Sequence, residues 1–304
     1  HMLFNSYIFL FLFLPLCLGG YYLLAHFGKA KPAKLCLTGF SLWFYGYFNP
    51  SYLLIMLFSI LFNYCIFRLI ISARKKNHMS GIAGSRFWMT IGVLSNLGIL
   101  FYFKYYDFFI ENVNAVFDTS FMLKGILLPL GISFFTFQQI GFVVDSYRGE
   151  IESCSFLDYS LFVSFFPQLI AGPIVNHNEM MPQFEQIGHR QMDWNQFTSG
   201  VYLFTLGMVK KVLVADTFGK AVNWGYSNVS GLTGVDSALL ILFYVLQLYF
   251  DFSGYCNMAR GLGWLFGIEI PVNFNSPYKA VDIVDFWKRW HITLSRFFTK
   301  YVYI

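Results

Sequence analysis

Continuous runs of apolar residues recur along this chain, and only short polar stretches separate them. The runs do not alternate between apolar and polar positions, so they differ from the segments of about ten alternating residues that build a transmembrane β-barrel. Because a helix satisfies its own backbone hydrogen bonds in lipid, the pattern predicts an all-α, polytopic membrane protein. The predicted spans are Tyr7 to Ala25, Leu35 to Phe48, Tyr52 to Ile71, Phe87 to Phe103, Ile126 to Val144, Leu157 to Ile170, Phe197 to Val214 and Ala238 to Phe250.

Several of these spans are shorter than the ~20 residues that cross a bilayer squarely. Short segments predict helices that are buried in protein, re-entrant or interfacial. The stretch from Tyr255 to Ile270 is apolar and carries Gly261, Gly263 and Gly267. This composition favours either close helix packing or a broken, re-entrant segment.

The composition agrees with a membrane protein, because 57% of the residues are hydrophobic and 12% are charged. A soluble domain carries roughly a quarter charged residues. No internal repeat or linker divides the chain, so we predict a single membrane-embedded domain over residues 1–304. The five cysteines are scattered without paired spacing, which predicts neither a disulfide framework nor a metal site.

The basic residues lie in short clusters beside apolar runs, so their positions indicate the topology of the protein in the membrane. We therefore do not read the net charge of +5 as a sign of a nucleic-acid partner. By the positive-inside rule the clusters at 29–34 and 68–76 are cytoplasmic, while the N-terminus and Asn49 lie outside. The first span lacks a basic leader and a cleavage site, so we expect a retained helix. We interpret His1-Met2 before it as a cloning remnant.

Polar residues within apolar sequence mark two candidate regions before residue 190. In the first, from Ser133 to Arg148, Gln138 either takes part in hydrogen bonding between helices or lines a substrate site. In the second, from Phe166 to Ile174, two prolines and a Gly-Pro step predict the end of a helix. The polar residues after it are expected in a solvated loop rather than at a metal. They are His177, Glu179 and His189.

A third region runs from Tyr249 to Ser295 and includes Asp251. If Asp282 caps a helix, Asp285 and Arg289 stand four residues apart and can pair. A continuous helix would also place His291 on one face with Trp287, Lys288 and Ser295. The residue chemistry leaves two readings open: a catalytic histidine, or a structural histidine on an interfacial amphipathic helix.

The run from Asp285 to Ser295 resembles the Phe-Trp-x-Arg-Trp-His signature of the membrane-bound O-acyltransferases. The opening Met2-Leu3-Phe4-Asn5-Ser6 resembles the start of the alginate O-acetyltransferase branch. So do three further segments, in the same order along the chain: Phe165 to Gln168, Gly172 to Ile174 and Asp251 to Tyr255.

The resemblance implies a ring of tilted helices around a thinned centre, with His291 in a funnel. It implies that acetyl-CoA donates an acetyl group from the cytoplasm and that no cofactor stays bound. The acceptor would be a partner protein outside a bacterial cytoplasmic membrane, and the acetyl group would finally reach a cell-envelope polysaccharide, peptidoglycan or alginate. His291 would then be a general base that titrates near neutrality. The expected substrate contacts are Trp287, Lys288, Arg289, Asp251 and Gln138.

Three alternatives stay open. The first is D-alanyl transfer to teichoic acid, the activity of more distant relatives. The second is a transporter, which would also contain broken helices. The third is a non-catalytic scaffold, which would bind partners without transferring an acyl group. The resemblance also implies further helices and a second motif histidine beyond Ile304, so we expect the 304-residue chain to transfer acyl groups poorly on its own.

Overall fold

The computed structural model describes residues 3–75, 79–170, 172–188 and 192–303. Within them every regular element is helical, which confirms the all-α prediction. The α-helices are α1 (Leu14–His26), α2 (Ala30–Phe48), α3 (Pro50–Arg74), α4 (Met79–Phe117), α5 (Ile132–Arg148), α6 (Phe156–Ser164), α7 (Phe166–Leu169), α8 (His177–Glu185), α9 (Trp194–Met208), α10 (Asp216–Ser227), α11 (Gly234–Leu265), α12 (Ile283–Arg289) and α13 (Ile292–Tyr301). Shorter elements are the π-helical segments Phe9–Phe13 and Val209–Ala215 and the 3₁₀ turns Val229–Gly231 and Pro277–Lys279.

The chain divides into two compact units. Unit 1 takes in the described residues of 1–37, 171–175 and 182–304, and it contains α1 and α9 to α13. Unit 2 takes in the described residues of 38–170 and 176–181, and it contains α3 to α7. The single domain and the ring of tilted helices stay predictions.

Among the described residues, five helical stretches are long and apolar enough to cross a bilayer. Each contains or closely overlaps one predicted span, so these five spans are confirmed as apolar helices of sufficient length. They are Phe9–His26, Pro50–Arg74, Gly81–Phe117, Trp194–Ser227 and Gly234–Leu265.

The other predicted spans differ from the structure. The segment from Leu35 is part of α2, which is not among the five stretches. The span predicted from Ile126 becomes helical only at Ile132, because Gly131 has a positive φ of 69°. The span predicted from Leu157 is interrupted at Phe165, whose extended ψ of 105° separates α6 from α7.

Most of the glycine-rich stretch from Tyr255 to Ile270 is helical, and its Gly261 confirms the alternative of close helix packing. The helix ends at Leu265, and Gly267 beyond it has a positive φ of 72°. α11 continues to Leu265 and lies against α9 in unit 1. A Cβ atom added to Gly207 would lie 2.6 Å from the carbonyl oxygen of Gly254, and one added to Gly261 would lie 2.6 Å from the backbone nitrogen of Phe204. Only glycine permits this approach of two helices. It fixes α11, which carries Asp251 and Phe252.

Candidate active site around His291

The first turn of α12 forms as the sequence predicted. Asp282 precedes the helix, and its Oδ1 atom accepts a hydrogen bond of 2.7 Å from the backbone N–H of Asp285. The Asp285 carboxylate accepts a hydrogen bond of 2.9 Å from Nε of Arg289, one helical turn later. This bond from Arg289 holds the pKa of Asp285 below its usual value.

The helix does not continue through the motif, so the predicted shared face of His291, Trp287 and Lys288 is wrong. α12 ends at Arg289, Trp290 is extended, and α13 begins at Ile292. The reason is a backbone pairing with the segment 273–275. The N–H of Asn275 donates to the carbonyl of Arg289 at 2.9 Å, and the N–H of Ile292 donates to the carbonyl of Asn273 at 3.0 Å.

His291 stands at the break in a left-handed backbone conformation, with φ 46° and ψ 50°. This conformation costs roughly 1–2 kcal/mol for a residue with a Cβ atom. Among the described non-glycine residues, positive φ occurs at Asp118, Ser276 and His291. Ser276 directly follows the segment 273–275, and His291 lies between its two bonded partners, Arg289 and Ile292. Such strain persists only where the surroundings impose it, often at functional sites.

Asn273 determines which nitrogen of His291 carries the proton. The side-chain Oδ1 of Asn273 accepts from the backbone N–H of Thr293 at 3.1 Å and from its hydroxyl at 2.9 Å. A backbone N–H can only donate, so the Asn273 atom that it faces is the oxygen. Nδ1 of His291 lies 3.3 Å from the same oxygen and must therefore be the protonated nitrogen. The free lone pair of the imidazole is then on Nε2.

The Asn273 side chain is itself held in place. Its Nδ2 donates to Sγ of Cys256 on α11 at 3.4 Å. The hydroxyl of Thr293 accepts from the backbone N–H of Ile174 at 3.0 Å, so Ile174 lies at the start of α13. Asn273 was not predicted as a site residue, although it opens the extended stretch before Pro277.

Aromatic rings surround the motif. The ring of Phe252 lies edge-on to the His291 imidazole, with 4.8 Å between centroids. Trp290 packs against Phe274 at 5.0 Å and against Phe286 at 5.7 Å. Burial among these groups lowers the pKa of His291 to about 4, below the near-neutral value expected from the sequence. The imidazole is therefore neutral at physiological pH.

Trp287, Lys288 and Arg289 lie on the last turn of α12, just before His291. Trp287 is 53% exposed, and Lys288 is also exposed and has no ion pair within the described part of the chain. Arg289 is occupied by Asp285 and lies 3.5 Å from the carbonyl of Asn275. Lys288 is thus the cation of this helix that is available to a ligand.

Asp251 lies on α11, directly before the residue that contacts the His291 ring. Its carboxylate is 2.7 Å from Nζ of Lys211, and this ammonium group also lies 3.0 Å from Asp216. Lys211 belongs to the π-helical segment Val209–Ala215, a distortion that is frequent at functional sites. Lys211 was not predicted from the sequence, because its partner Asp251 is 40 residues away.

Gln138 lies on α5 of unit 2, where it is 5% exposed. Its amide nitrogen has no hydrogen-bond partner among the described residues. The neighbouring Gln139 instead donates to Ser59 at 2.9 Å and accepts from Tyr159 at 3.0 Å. Hydrogen bonding between helices therefore accounts for Gln139, whereas a ligand role for Gln138 stays a prediction.

His177 and Glu179, which were predicted in a solvated loop after Ile174, lie in a helix instead. His177 begins α8, and its ring lies 5.3 Å from that of Phe142. Glu179 accepts from the backbone N–H of Asn176 at 2.9 Å. His189 lies outside the described residues. Within those residues no group of three histidine, cysteine or acidic side chains is placed to hold a metal ion.

Comparison with known proteins identifies similar sequences. The profile of the membrane-bound O-acyltransferase family matches residues 144–304. A peptidoglycan O-acetyltransferase of Helicobacter pylori is 42% identical, over 100% of this chain and 61% of that protein. A probable alginate O-acetylase of Pseudomonas aeruginosa is 39% identical, over 100% of this chain and 57% of that protein.

A teichoic acid D-alanyltransferase of Streptococcus thermophilus is less similar, at 28% identity over 60% of this chain and 45% of that protein. The chain spans about three fifths of the length of the first two relatives. The residues around His291, Asn273 and Asp251 all lie inside the range that the family profile matches.

Proposed function

Because this chain belongs to the membrane-bound O-acyltransferase family, we propose that it carries the catalytic histidine of an O-acetyltransferase. The enzyme moves an acetyl group from cytoplasmic acetyl-CoA to an acceptor outside a bacterial inner membrane. A partner protein with a reactive hydroxyl receives the group and passes it to a cell-envelope polysaccharide. Peptidoglycan is the first candidate, since the relative from Helicobacter pylori bears that name and is 42% identical.

The observation that carries the proposal is the hydrogen bond between Asn273 and His291. This bond requires the ring proton on Nδ1, so Nε2 keeps a free lone pair. The lowered pKa of His291 keeps this nitrogen unprotonated at neutral pH. A neutral imidazole with a fixed tautomer is the form that a general base needs.

In the proposed mechanism Nε2 of His291 takes the proton of the acceptor hydroxyl as its oxygen attacks the thioester carbonyl. The new C–O bond forms and the C–S bond breaks. The imidazolium then returns its proton to the departing thiolate, which gives an acetyl ester and free coenzyme A thiol. Because its pKa is low, the imidazolium gives up this proton readily. Asn273 Oδ1 stabilises the charged ring through Nδ1.

The other predicted residues have supporting roles in this proposal. Lys288 attracts the phosphates of acetyl-CoA, with Trp287 beside it, and the exposure of Lys288 and its lack of an ion pair in the described structure support this role. Arg289 mainly fixes α12 through Asp285. Asp251 orients α11 through Lys211, and the unpartnered amide of Gln138 supports a contact with substrate.

The direct test uses inverted membrane vesicles that contain the complete product of the gene, with radiolabelled acetyl-CoA on the exposed cytoplasmic face. We expect label in ester linkage on the acceptor protein or on peptidoglycan added to the vesicle lumen. Vesicles that carry His291→Asn should show background label. Efflux of label without ester formation would support a transporter, and folded protein without either activity would support a scaffold. Both outcomes contradict the proposal.

A second candidate is D-alanyl transfer, which the similarity to a teichoic acid D-alanyltransferase supports. The same vesicles can be supplied with D-alanyl thioester on a carrier protein. Faster transfer from this donor than from acetyl-CoA would replace the acetyl proposal. We favour acetyl because the peptidoglycan O-acetyltransferase and the alginate O-acetylase described above align over the whole chain and are named for O-acetylation.

A further inference from the structure

Unit 2 contains a cavity of about 410 Å³ that lies outside the candidate active site. This volume is within the usual range of small-molecule sites, about 300–1,000 Å³. One wall is the last part of α3, and the other is the segment Glu152–Cys154. Arg68, Ile71 and Ser72 of α3 line the cavity, together with Lys75, the residue that caps its end. These positions follow the spacing i, i+3, i+4, i+7, so they form one face of the helix.

The opposite wall is fixed to the same helix. The hydroxyl of Tyr64 donates to the carbonyl of Cys154 at 3.1 Å, and the Tyr64 ring lies 5.1 Å from that of Phe156. Nη1 of Arg74 donates to the carbonyl of Ser146 at 3.3 Å. Arg74 therefore stabilises the packing of α3 against α5. The cavity is thus held open between elements that are connected to each other.

The charges of the cavity have no protein partner. Arg68, Lys75 and Glu152 all line it, yet none of their side chains forms an ion pair or hydrogen bond in the part of the chain that the structure describes. Two cations against one carboxylate leave a net charge of +1. The hydroxyl groups of Ser72 and Ser153 add hydrogen-bond donors. Such a site suits a phosphate group that carries one negative charge.

The position of the cavity indicates where that phosphate comes from. Arg68 lies six residues before the end of the apolar stretch Pro50–Arg74, which is about 9 Å along a helix. This is roughly the depth of the headgroup region. Leu69 beside it is 39% exposed and Leu61 is 54% exposed, so this part of α3 presents apolar surface where acyl chains would lie.

We propose that this cavity binds the headgroup phosphate of an anionic glycerophospholipid, with Arg68 and Lys75 as its cationic contacts. Basic pockets beside spanning helices on the cytoplasmic side commonly hold such headgroups. The lipid would attach the end of α3 to the segment Glu152–Cys154. This inference does not depend on the acyl-transfer proposal.

The test titrates short-chain phosphatidylglycerol into the purified protein in a neutral detergent and measures binding by calorimetry. We expect Arg68→Gln with Lys75→Gln to weaken binding by about 10- to 30-fold, since each basic residue contributes about a factor of five. The matched control, Lys29→Gln with Lys31→Gln, removes the same charge outside the cavity and should bind like the parent. Equal weakening by both pairs, or no weakening by the first pair, would overturn the proposal.

A single variant that keeps both cations tests whether binding of phosphatidylglycerol depends on the charge of the cavity in the expected direction. Glu152→Gln removes the negative charge from the cavity, so phosphatidylglycerol should bind several-fold more tightly. Weaker binding would indicate a ligand with its own cation and would contradict an anionic headgroup. Inorganic phosphate serves as the second probe. If it binds as tightly as phosphatidylglycerol, the ligand is a free phosphate and the lipid assignment is wrong.

Discussion

Asn273 and His291 lie 18 residues apart in sequence, and their side chains meet at 3.3 Å between Oδ1 and Nδ1. The oxygen is identified by the backbone N–H of Thr293, which has no alternative to donating. One amide therefore sets the tautomer of the imidazole and connects the start of α13 to the extended segment before Pro277. The relationship makes Asn273 a positioning residue in the proposed reaction, and it can be tested separately from His291.

Replacing Asn273 by Asp keeps an acceptor for Nδ1 and adds a negative charge beside the ring. A nearby carboxylate favours the protonated imidazole, so the pKa of His291 should rise. We expect the acid limb of the pH dependence of acetyl transfer to move to higher pH. The measurement is kcat against pH in the complete product of the gene.

Asn273→Leu is the companion variant, because it removes the acceptor and leaves a side chain of similar size. Transfer should fall by about 10-fold or more if the tautomer matters, with a smaller change in KM. Asn275→Leu, two residues later, is the matched control, since only the backbone of Asn275 takes part in the pairing. A pH profile that stays fixed in Asn273→Asp would exclude the positioning role.

The low pKa of His291 also predicts a pH dependence of stability. The folded-state pKa of about 4 lies below the usual value of 6.5, so between these values the unfolded chain binds the proton more readily. The contribution is fully present above pH 6.5 and is lost as the pH falls towards 4. It amounts to at most about 3 kcal/mol.

Thermal unfolding in detergent, followed from pH 7 to pH 4, measures this effect. Carboxylates also titrate in this range, so the informative quantity is the difference between the parent and His291→Asn. We expect the variant to lose less stability on acidification. Parallel curves for the two proteins would show that His291 is not buried as the neutral form.

The sequence correctly predicted those structural features that depend on residues close together along the chain. Apolar runs indicated the five long helical stretches, because membrane insertion depends on the hydrophobicity of about twenty consecutive residues. The cap by Asp282 and the pair of Asp285 with Arg289 were also correct, since both lie within one or two turns of a helix.

The sequence did not predict those structural features that depend on contacts between residues far apart along the chain. The motif reads as one helix from Asp282 to Ser295, and its local composition does not indicate a break. The break at Trp290 and His291 arises from backbone bonds to Asn273 and Asn275. The continuity of α11 through its glycines likewise depends on α9, whose backbone lies where side chains would otherwise be.

Close packing of α9 and α11 makes Gly261 intolerant of substitution. A Cβ atom there would lie 2.6 Å from the backbone nitrogen of Phe204 and 2.7 Å from the carbonyl oxygen of Gly200, and neither is a flexible group. Gly261→Ala should destabilise the protein by about 1–3 kcal/mol through overpacking. The control is Gly98→Ala on α4, where no atom lies within 4 Å and alanine has the better helix propensity. Equal apparent unfolding temperatures for the two variants would refute the close approach.

The predicted topology places Lys31 in the cytoplasm and Ser51 outside. Both side chains are exposed, so either can be replaced by cysteine in a chain whose native cysteines have been removed. A thiol reagent that cannot cross the membrane should label Ser51→Cys in intact cells and Lys31→Cys only after permeabilisation. The reverse pattern would invert the orientation, and acetyl-CoA would then approach the opposite face of the protein.

The role of His291 is best tested by His291→Asn, because asparagine tolerates the left-handed conformation that this position requires. Its amide can also donate towards Asn273, while the nitrogen equivalent to Nε2 is lost. General base catalysis typically contributes 10²–10⁴-fold, so kcat for acetyl transfer should fall by about that factor. The apparent unfolding temperature at pH 7 should change little, and binding of acetyl-CoA should persist. His26→Asn, at the exposed end of α1, removes a histidine elsewhere and should leave kcat and the unfolding temperature unchanged.

If His291 had only a structural role, His291→Asn would have the opposite effects: the unfolding temperature would fall while turnover per folded molecule stayed near that of the parent. Activity and unfolding temperature should therefore be measured on the same preparation, and transfer within a few-fold of the parent would remove His291 from the mechanism.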